Sequence, residues 1–134
     1  MARFVIQEHH ASHLHWDFRL EMNGVLKSWT IPKQPPRRKG IKRLAIKVED
    51  HALSYANFEG EIKEGYGKGT VKIWDKGKYE LVGKEKGAPL GVPQIAERGG
   101  KIEFELSGKK LKGKYVLVNA KLGGEKKNWL FIKI

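Results

Sequence analysis

The chain has 134 residues, 27 of them Lys or Arg against 15 Asp or Glu, for a formal charge of +12. That length suits one domain burying about two thirds of the surface its unfolded form exposes. Cysteine is absent, which excludes disulfides, thiolate metal sites and cysteine nucleophiles and fits a reducing cytoplasm. The start, Met1-Ala2-Arg3-Phe4-Val5-Ile6-Gln7, has no signal-type apolar run, and no stretch reaches the roughly 18 apolar residues of a membrane span. The expectation is a cytoplasmic monomer that meets no membrane, and the positive charge points to a polyanion as partner.

In chain order, a short strand at 3–7 precedes one at 14–22, where Leu14-His15-Trp16-Asp17-Phe18-Arg19-Leu20-Glu21-Met22 alternates without a break. Side chains on a strand point to opposite faces with period two. Trp16, Phe18, Leu20 and Met22 therefore form an apolar face, expected in the core, and His15, Asp17, Arg19 and Glu21 a polar one. Asn23-Gly24 tolerates positive φ at both residues, which predicts a tight hairpin to a strand at 25–31 and fixes the face that carries His15 and Asp17. Pro35-Pro36-Arg37-Arg38-Lys39-Gly40-Ile41-Lys42-Arg43 reads as a loop with five basic residues and no acid. The strand at 43–48 is expected to turn Leu44, Ile46 and Val48 inward and Arg43, Ala45 and Lys47 the other way, with His51 just past its end.

Beyond position 60, Gly recurs between short runs rich in Val, Ile, Tyr, Phe and Trp, which predicts strands at 69–75, 78–82, 101–106, 112–118 and 128–134. One short helical piece is expected around Val92 to Glu97, between Pro89 and Gly99-Gly100. Lys109, Lys110, Lys112 and Lys114 read as a solvated edge, and Asn128 to Ile134 as a strand buried on both sides or a barrel seam. So many strands in so short a chain predict a mainly β protein, a compact antiparallel β-barrel with at most a short helix, because closure removes exposed edges. Residues 1–134 are expected to form this one domain.

Four of the five histidines fall between His9 and His15. His15-x-Asp17 puts an imidazole and a carboxylate on one strand face, where strand twist can bring both tips to one ion. A third ligand must come from elsewhere: His9 can fold back across the turn, with His10 and His13 as competitors. A mixed nitrogen and oxygen set suits Mn²⁺, Fe²⁺, Co²⁺, Ni²⁺ or Zn²⁺. Arg19 continues the same face, and its fork can hold a phosphate through two parallel hydrogen bonds or pair with Glu21 or another acid.

Gln7-x-His9, the Leu14 to Glu21 run, Leu26-Lys27-Ser28-Trp29-x-x-Pro32-Lys33, Val48-Glu49-Asp50-His51, Phe58-Glu59-Gly60, Gly65-Tyr66-Gly67-x-Gly69-Thr70-Val71, Trp74-Asp75-x-Gly77 and Trp129-Leu130-x-Ile132-Lys133 together resemble the 3′-phosphoesterase domain of bacterial DNA ligase D and its free-standing archaeal relatives. The resemblance implies a β-barrel that binds Mn²⁺, with Co²⁺ or Zn²⁺ as alternatives, and heals the 3′ ends of DNA primers. Position by position, it implies His9, His15 and Asp17 as metal ligands, Arg19 and His51 as contacts to the scissile phosphate, and Gln7, Lys33, Arg43 and Tyr55 as supporting active-site residues. Arg37, Arg38, Lys39 and Lys42 would hold the duplex. Longer family members carry a charged arm before the first strand that helps the diesterase step, whereas here Met1-Ala2-Arg3 stands before Phe4-Val5-Ile6-Gln7. The monoesterase step is thus the more direct expectation, and a ligase and polymerase would act in trans.

In the expected reaction a terminal ribonucleotide is cleaved to leave a 3′-phosphate, which is then hydrolysed to a 3′-hydroxyl, with Arg19 and His51 sharing the growing charge. If His51 acts as a cation, activity falls toward alkaline pH. Two rivals remain at this point. His15-x-Asp17 with distant His51 spells the facial triad of a non-haem iron oxygenase, and exposed Trp or Tyr could make a non-catalytic single-strand-binding barrel.

Overall fold

The computed structural model describes residues 2–65, 68–82 and 101–134. Its strands are β1 (Ala2–His10), β2 (Leu14–Met22), β3 (Val25–Ile31), β4 (Lys42–His51), β5 (Gly60–Ile62), β6 (Gly69–Leu81), β7 (Lys101–Ser107), β8 (Lys112–Val118) and β9 (Asn128–Lys133). β1 to β4 form one antiparallel meander and β6 to β9 a second. Pairing of β1 with β6 and of β4 with β9 joins the two into a closed eight-stranded antiparallel barrel, while β5 adds to the start of β6 outside the ring. The expected barrel is the observed one. β9 is a seam between the two halves, although only Trp129 and Phe131 face the core while Leu130 and Ile132 stay half-buried.

Closure leaves no lumen. Phe18 occupies the centre and stacks on Phe131 at 4.7 Å and Phe104 at 5.7 Å between ring centroids, with Phe4, Ile6, Leu20, Trp29 and Tyr115 packed around it. A filled interior forces any chemistry to the outer face or the ends. The outer face of β1, β2 and β3 is itself covered: the 3₁₀ segment Leu53–Asn57 lies over it, with Val5, Leu26 and Ala56 forming a small second core. Beneath this cover Gln7, Asp17, Arg19 and Ser28 are buried, although they lie outside the barrel.

The Asn23-Gly24 turn has φ of 54° and 81°, the left-handed pair that a two-residue hairpin requires. It sets Met22 opposite Val25, and every later pair follows: Arg19 faces Ser28 and Asp17 faces Thr30. Trp16, Phe18 and Leu20 are core and the polar residues of β2 face outward, as the alternation predicts.

Three readings change. In β4 the expected phase is reversed: Ala45 is in the core, whereas Leu44, Ile46 and Val48 stay half-buried. The cause is volume, since Ala45 pairs with Trp129 and the Trp129 and Trp29 rings pack edge to face at 5.7 Å, leaving room for a methyl group only. Lys47, on the same phase, lies with its ammonium 5.2 Å from the Trp29 ring centroid. The strands expected at 69–75 and 78–82 are one 13-residue strand, because Gly77 is a point of close approach rather than a break. A Cβ there would come within 2.3 Å of the Ser107 carbonyl oxygen. The Leu53–Asn57 and Gly60–Ile62 elements were not expected, and the helical piece at 92–97 lies outside the described residues.

Asp75 explains the Trp74-Asp75-x-Gly77 motif. Its buried carboxylate accepts the backbone N–H groups of Lys76, Lys109, Lys110 and Leu111 at 2.8 to 3.1 Å, which locks the turn between β7 and β8 against β6. Asp75→Ala strands these donors and should lower the unfolding free energy by about 2 to 4 kcal/mol in urea titration. A loss below about 0.5 kcal/mol would show that water replaces the carboxylate.

Candidate metal centre

β1 and β2 bring three ligands to one point. His9 and His15 are paired across the two strands, and Asp17 lies two residues along from His15 on the same face. His9 Nδ1 is 3.6 Å and His15 Nε2 3.4 Å from Asp17 Oδ2, and the three donor atoms lie within 4.8 Å of one another. An ion about 2.0 to 2.2 Å from each of three ligands in tetrahedral or octahedral array needs them roughly 2.8 to 3.6 Å apart; both His–Asp17 separations meet this, and side-chain rotation that closes the remaining separation, at most 4.8 Å, would let the set hold one cation. The competitors are elsewhere. His10 has the opposite strand phase and pairs with Glu8 at 2.6 Å, while His13 is exposed in the turn.

Neighbours prepare these side chains. The His15 Nδ1–H donates to the His13 carbonyl at 3.1 Å, which leaves Nε2 as the nitrogen aimed at Asp17. Thr30 donates its hydroxyl to Asp17 Oδ1 at 2.9 Å, leaving Oδ2 toward the histidines. Burial alone would favour a protonated Asp17, but the hydrogen bond from His15, the Arg19 charge and the Thr30 bond together hold its carboxyl below the usual range. The same bond to Asp17 raises the His15 pKa against the opposing effect of burial. Without an ion, a proton on His15 takes the place of the cation.

Arg19 lies next to the triad with its Nη2 3.6 Å from Asp17 Oδ2. Its guanidinium is buried and held on every side: Nε donates to Gln7 Oε1 at 2.7 Å, Nη1 to Ser28 Oγ at 2.7 Å, and the Tyr55 ring lies 4.9 Å from its central carbon. Gln7 is fixed in turn, because its amide donates to the Tyr55 and Phe58 carbonyls of the covering segment. Glu21 is not a partner of Arg19; it pairs with Arg3. Arg19 Nη1 also lies 3.0 Å from His51 Nδ1. A guanidinium only donates, so His51 Nδ1 accepts and the ring proton sits on Nε2. The competing arrangement, Nδ1–H donating to the Glu49 carbonyl 3.1 Å away, would turn two N–H groups toward each other. Burial first and the Arg19 charge second lower the His51 pKa, so His51 near neutral pH is an uncharged donor through Nε2, not the cation considered from sequence.

Of the expected site residues, the structure therefore brings together Gln7, His9, His15, Asp17, Arg19, His51 and Tyr55. Lys33 and Arg43 lie outside this contact network. Lys33 is exposed past the end of β3, and Arg43 donates Nε to the Gln34 carbonyl at 2.7 Å. Arg43 lines, with Gln34, Pro35, Pro36, Arg37, Arg38 and Ile41, a cleft of about 510 Å³ at the barrel end reached by β3. Tyr115 Oη donates to the Pro36 carbonyl at 2.9 Å and Gly40 N–H to the Lys133 carbonyl at 3.1 Å, which anchors this basic loop; Arg37, Arg38, Lys39 and Lys42 are exposed on it. Ser28 and Thr30 were missed from sequence, though the Asn23-Gly24 register already sets them opposite Arg19 and Asp17. His51 does not join the metal group, so the His15, Asp17 and His51 triad of the oxygenase reading is not assembled. Trp16, Trp29, Trp129, Tyr79 and Tyr115 are buried and cannot serve as stacking platforms; among the described residues Tyr55 and Trp74 are half-buried, Tyr55 against the Arg19 guanidinium and Trp74 against the Lys110 ammonium.

Fold and site thus define a small closed β-barrel with a cation-sized His-His-Asp group on its outer face beside a buried arginine. Residues 7–119 match the family model of the DNA ligase D 3′-phosphoesterase domain. The chain is 43% identical over 134 residues to a multifunctional non-homologous end joining protein LigD of Pseudomonas aeruginosa, covering 99% of this chain and 15% of that protein. It is 43% identical over 129 residues to LigD of Mycolicibacterium smegmatis (96% and 16%), and 46% over 116 residues to LigD of Mycobacterium tuberculosis H37Rv (86% and 14%). The chain belongs to the DNA ligase D 3′-phosphoesterase domain family, and it spans about one seventh of the length of these relatives.

The raised His15 pKa gives a signed expectation for the metal-free protein. A raised folded value contributes stability that is fully present below about pH 6.5 and is lost as pH rises through the folded value. In chelator, the Tm advantage of the wild type over His15→Gln should therefore shrink between pH 6 and pH 8. An advantage that grows over that interval would contradict the His15–Asp17 pairing.

Proposed function

We propose that this protein is a divalent-metal-dependent hydrolase that heals DNA 3′ ends, removing a 3′-phosphate and, before it, a 3′-terminal ribonucleotide, to leave a 3′-hydroxyl. The observation that carries this reading is the contact between a three-ligand group of cation size and a buried, immobilised arginine. Charge supports it: a divalent ion with Asp17 and Arg19 sums to +2, matching a phosphate monoester dianion. Mn²⁺ is the cofactor proposed, with Co²⁺ or Zn²⁺ as alternatives, and it would be held by His9, His15 and Asp17. Such an ion supplies Lewis-acid stabilisation of a phosphate oxygen and a bound water of lowered pKa.

The protein's own groups do the rest. Arg19 cannot rotate, because Gln7 and Ser28 hold two of its nitrogens, so the Nη2 donors left to it would meet a phosphate oxygen at little reorganisation cost as charge develops. His51 offers Nε2–H to a second oxygen, while its Nδ1 is kept as an acceptor by Arg19. Tyr55 shelters the guanidinium from water and keeps its interactions strong. In the monoesterase step water adds to phosphorus, the bond from phosphorus to the 3′ oxygen breaks, and a proton passes to that oxygen, giving inorganic phosphate and the 3′-hydroxyl. In the preceding diesterase step water adds to the phosphorus that joins the last two residues, the bond to the 5′ oxygen of the terminal residue breaks and that oxygen takes a proton, so the terminal ribonucleoside leaves and a 3′-phosphate stays on the primer. Arg37, Arg38, Lys39 and Lys42 on the loop, with Lys33 and the cleft that Arg43 lines, would hold the duplex backbone near its end. We further infer a cytoplasmic monomer whose product is taken up by a polymerase and a ligase; among the described residues no helix is long and apolar enough to cross a membrane.

The reading is tested on a 5′-labelled primer bearing either a 3′-phosphate or a 3′-terminal ribonucleotide. Mn²⁺ should support conversion to the 3′-hydroxyl, chelator should stop it, and Asp17→Ala should abolish it. Arg19→Ala and His51→Ala should each lose about 10²- to 10³-fold in rate. An end left unchanged under all metals would refute the proposal, and oxygen consumption without phosphate release would restore the oxygenase. Replacing Arg37, Arg38, Lys39 and Lys42 with Gln should weaken DNA binding and flatten its salt dependence while p-nitrophenyl phosphate hydrolysis is retained. Equal collapse of both activities would put the loop in the catalytic site.

A further inference from the structure

Strand alternation would turn His51 away from Arg19. Along β4, Val48 pairs with Ser28 on the outer face, so in a regular strand Asp50 would oppose Leu26 on that face and His51 would point inward. Instead the register shifts between Leu26 and Ser28, and Leu26 pairs with His51. One extra residue is thus inserted in β4, with Glu49 and Asp50 together opposite Lys27. Bulges of this kind re-aim a side chain beside a site, and here the inserted residue brings His51 to the outer face, 3.0 Å from Arg19.

The bulge is stapled by three charged side chains that the reaction does not otherwise use. Asp50 accepts from Lys27 Nζ on the neighbouring strand at 2.8 Å, and its other carboxylate oxygen lies 3.5 Å from Lys47 Nζ. Lys47 Nζ donates in addition to the Val48 carbonyl at 2.6 Å, at the residue where regular pairing ends. Lys47 is itself held over the Trp29 ring. The staple therefore links both sides of the irregularity, β3 through Lys27 and the last regular turn of β4 through Lys47.

We propose that Asp50, gripped by Lys27 and Lys47, is a positioning residue that fixes the β4 bulge and so aims His51 at Arg19 and the phosphate. Its catalytic consequence rests on the reading of His51 given above; its structural consequence does not. Exposed ion pairs of this type are individually weak, so the effect lies in geometry and not in global stability. Displacing a donor by about 1 Å is enough to cost up to 10²-fold in rate.

Two readouts test this on the full chain. In Asp50→Asn and Lys27→Met, kcat for 3′-phosphate removal should fall about five- to twenty-fold with KM within twofold and Mn²⁺ affinity unchanged. Nitrogen-15 spectra of the His51 ring should change from a single Nε2–H tautomer to a mixture. Deleting Glu49 gives a regular ladder with Asp50 opposite Lys27 and His51 still opposite Leu26 on the outer face, so activity should stay well above the level of His51→Ala; if the deletion variant does not fold, the two point variants decide. An unchanged His51 spectrum together with unchanged kcat in both point variants overturns the proposal while leaving the phosphoesterase reading intact. A wild type with no activity but a His51 tautomer that shifts in Asp50→Asn overturns the catalytic reading and leaves the positioning role standing.

Discussion

A buried guanidinium organises the outer face of this barrel. A charge taken out of water must meet partners in every direction, and stranding one typically costs about 3 to 5 kcal/mol. Arg19 finds its partners in five places: Gln7 on β1, Asp17 on its own strand, Ser28 on β3, His51 at the end of β4 and Tyr55 in the 3₁₀ segment. Each partner is then committed. Gln7 is clamped to the covering segment, His51 is limited to one tautomer, and Asp17 keeps its charge despite burial. The cation group of His9, His15 and Asp17 is thus continuous with the arginine that would share its substrate.

The proposed chemistry would sit outside the barrel because the inside is full. Phe18, Phe104, Phe131, Tyr115 and the indoles of Trp29 and Trp129 occupy the centre, so alternation on β1 and β2 divides the same strands into a packing face and a polar face that carries the His-His-Asp group. The 3₁₀ segment between β4 and β5 completes the arrangement by lowering solvent access to a face that would otherwise be wet, which strengthens every electrostatic contact beneath it. Two local irregularities then adjust the regular frame: an inserted residue in β4 that turns His51 outward, and close approach at Gly77 that lets β6 run unbroken past β1 and β7.

Much of this is legible in the sequence wherever one local rule decides the matter. Perfect alternation from Leu14 to Met22 and a two-residue Asn-Gly turn determine the faces and register of β2 and β3, and with them the positions of His15, Asp17 and Arg19. The same register contained Ser28 and Thr30, whose roles become visible only when each strand residue is matched to its partner. The phase of β4 was not legible, because Leu44, Ile46 and Val48 satisfy an alternating pattern equally well on either face; the choice was made by two indoles contributed from β3 and β9. The bulge at Glu49 and Asp50 leaves no mark in composition, and the tautomer of His51 depends on an arginine 32 positions away. His9 was distinguishable from His10 only by strand phase. The basic loop could be read as a loop, but its anchoring to Tyr115 and Lys133 could not.

The most direct test is crystallographic: crystals soaked in Mn²⁺ and inorganic phosphate, with data collected at the manganese absorption edge. The account predicts one strong anomalous peak within coordination distance of His9 Nδ1, His15 Nε2 and Asp17 Oδ2, with a phosphate bridging that ion to Arg19 and His51 Nε2. A peak at Glu8 and His10, or phosphate bound only in the cleft lined by Arg37, Arg38 and Arg43, would contradict it.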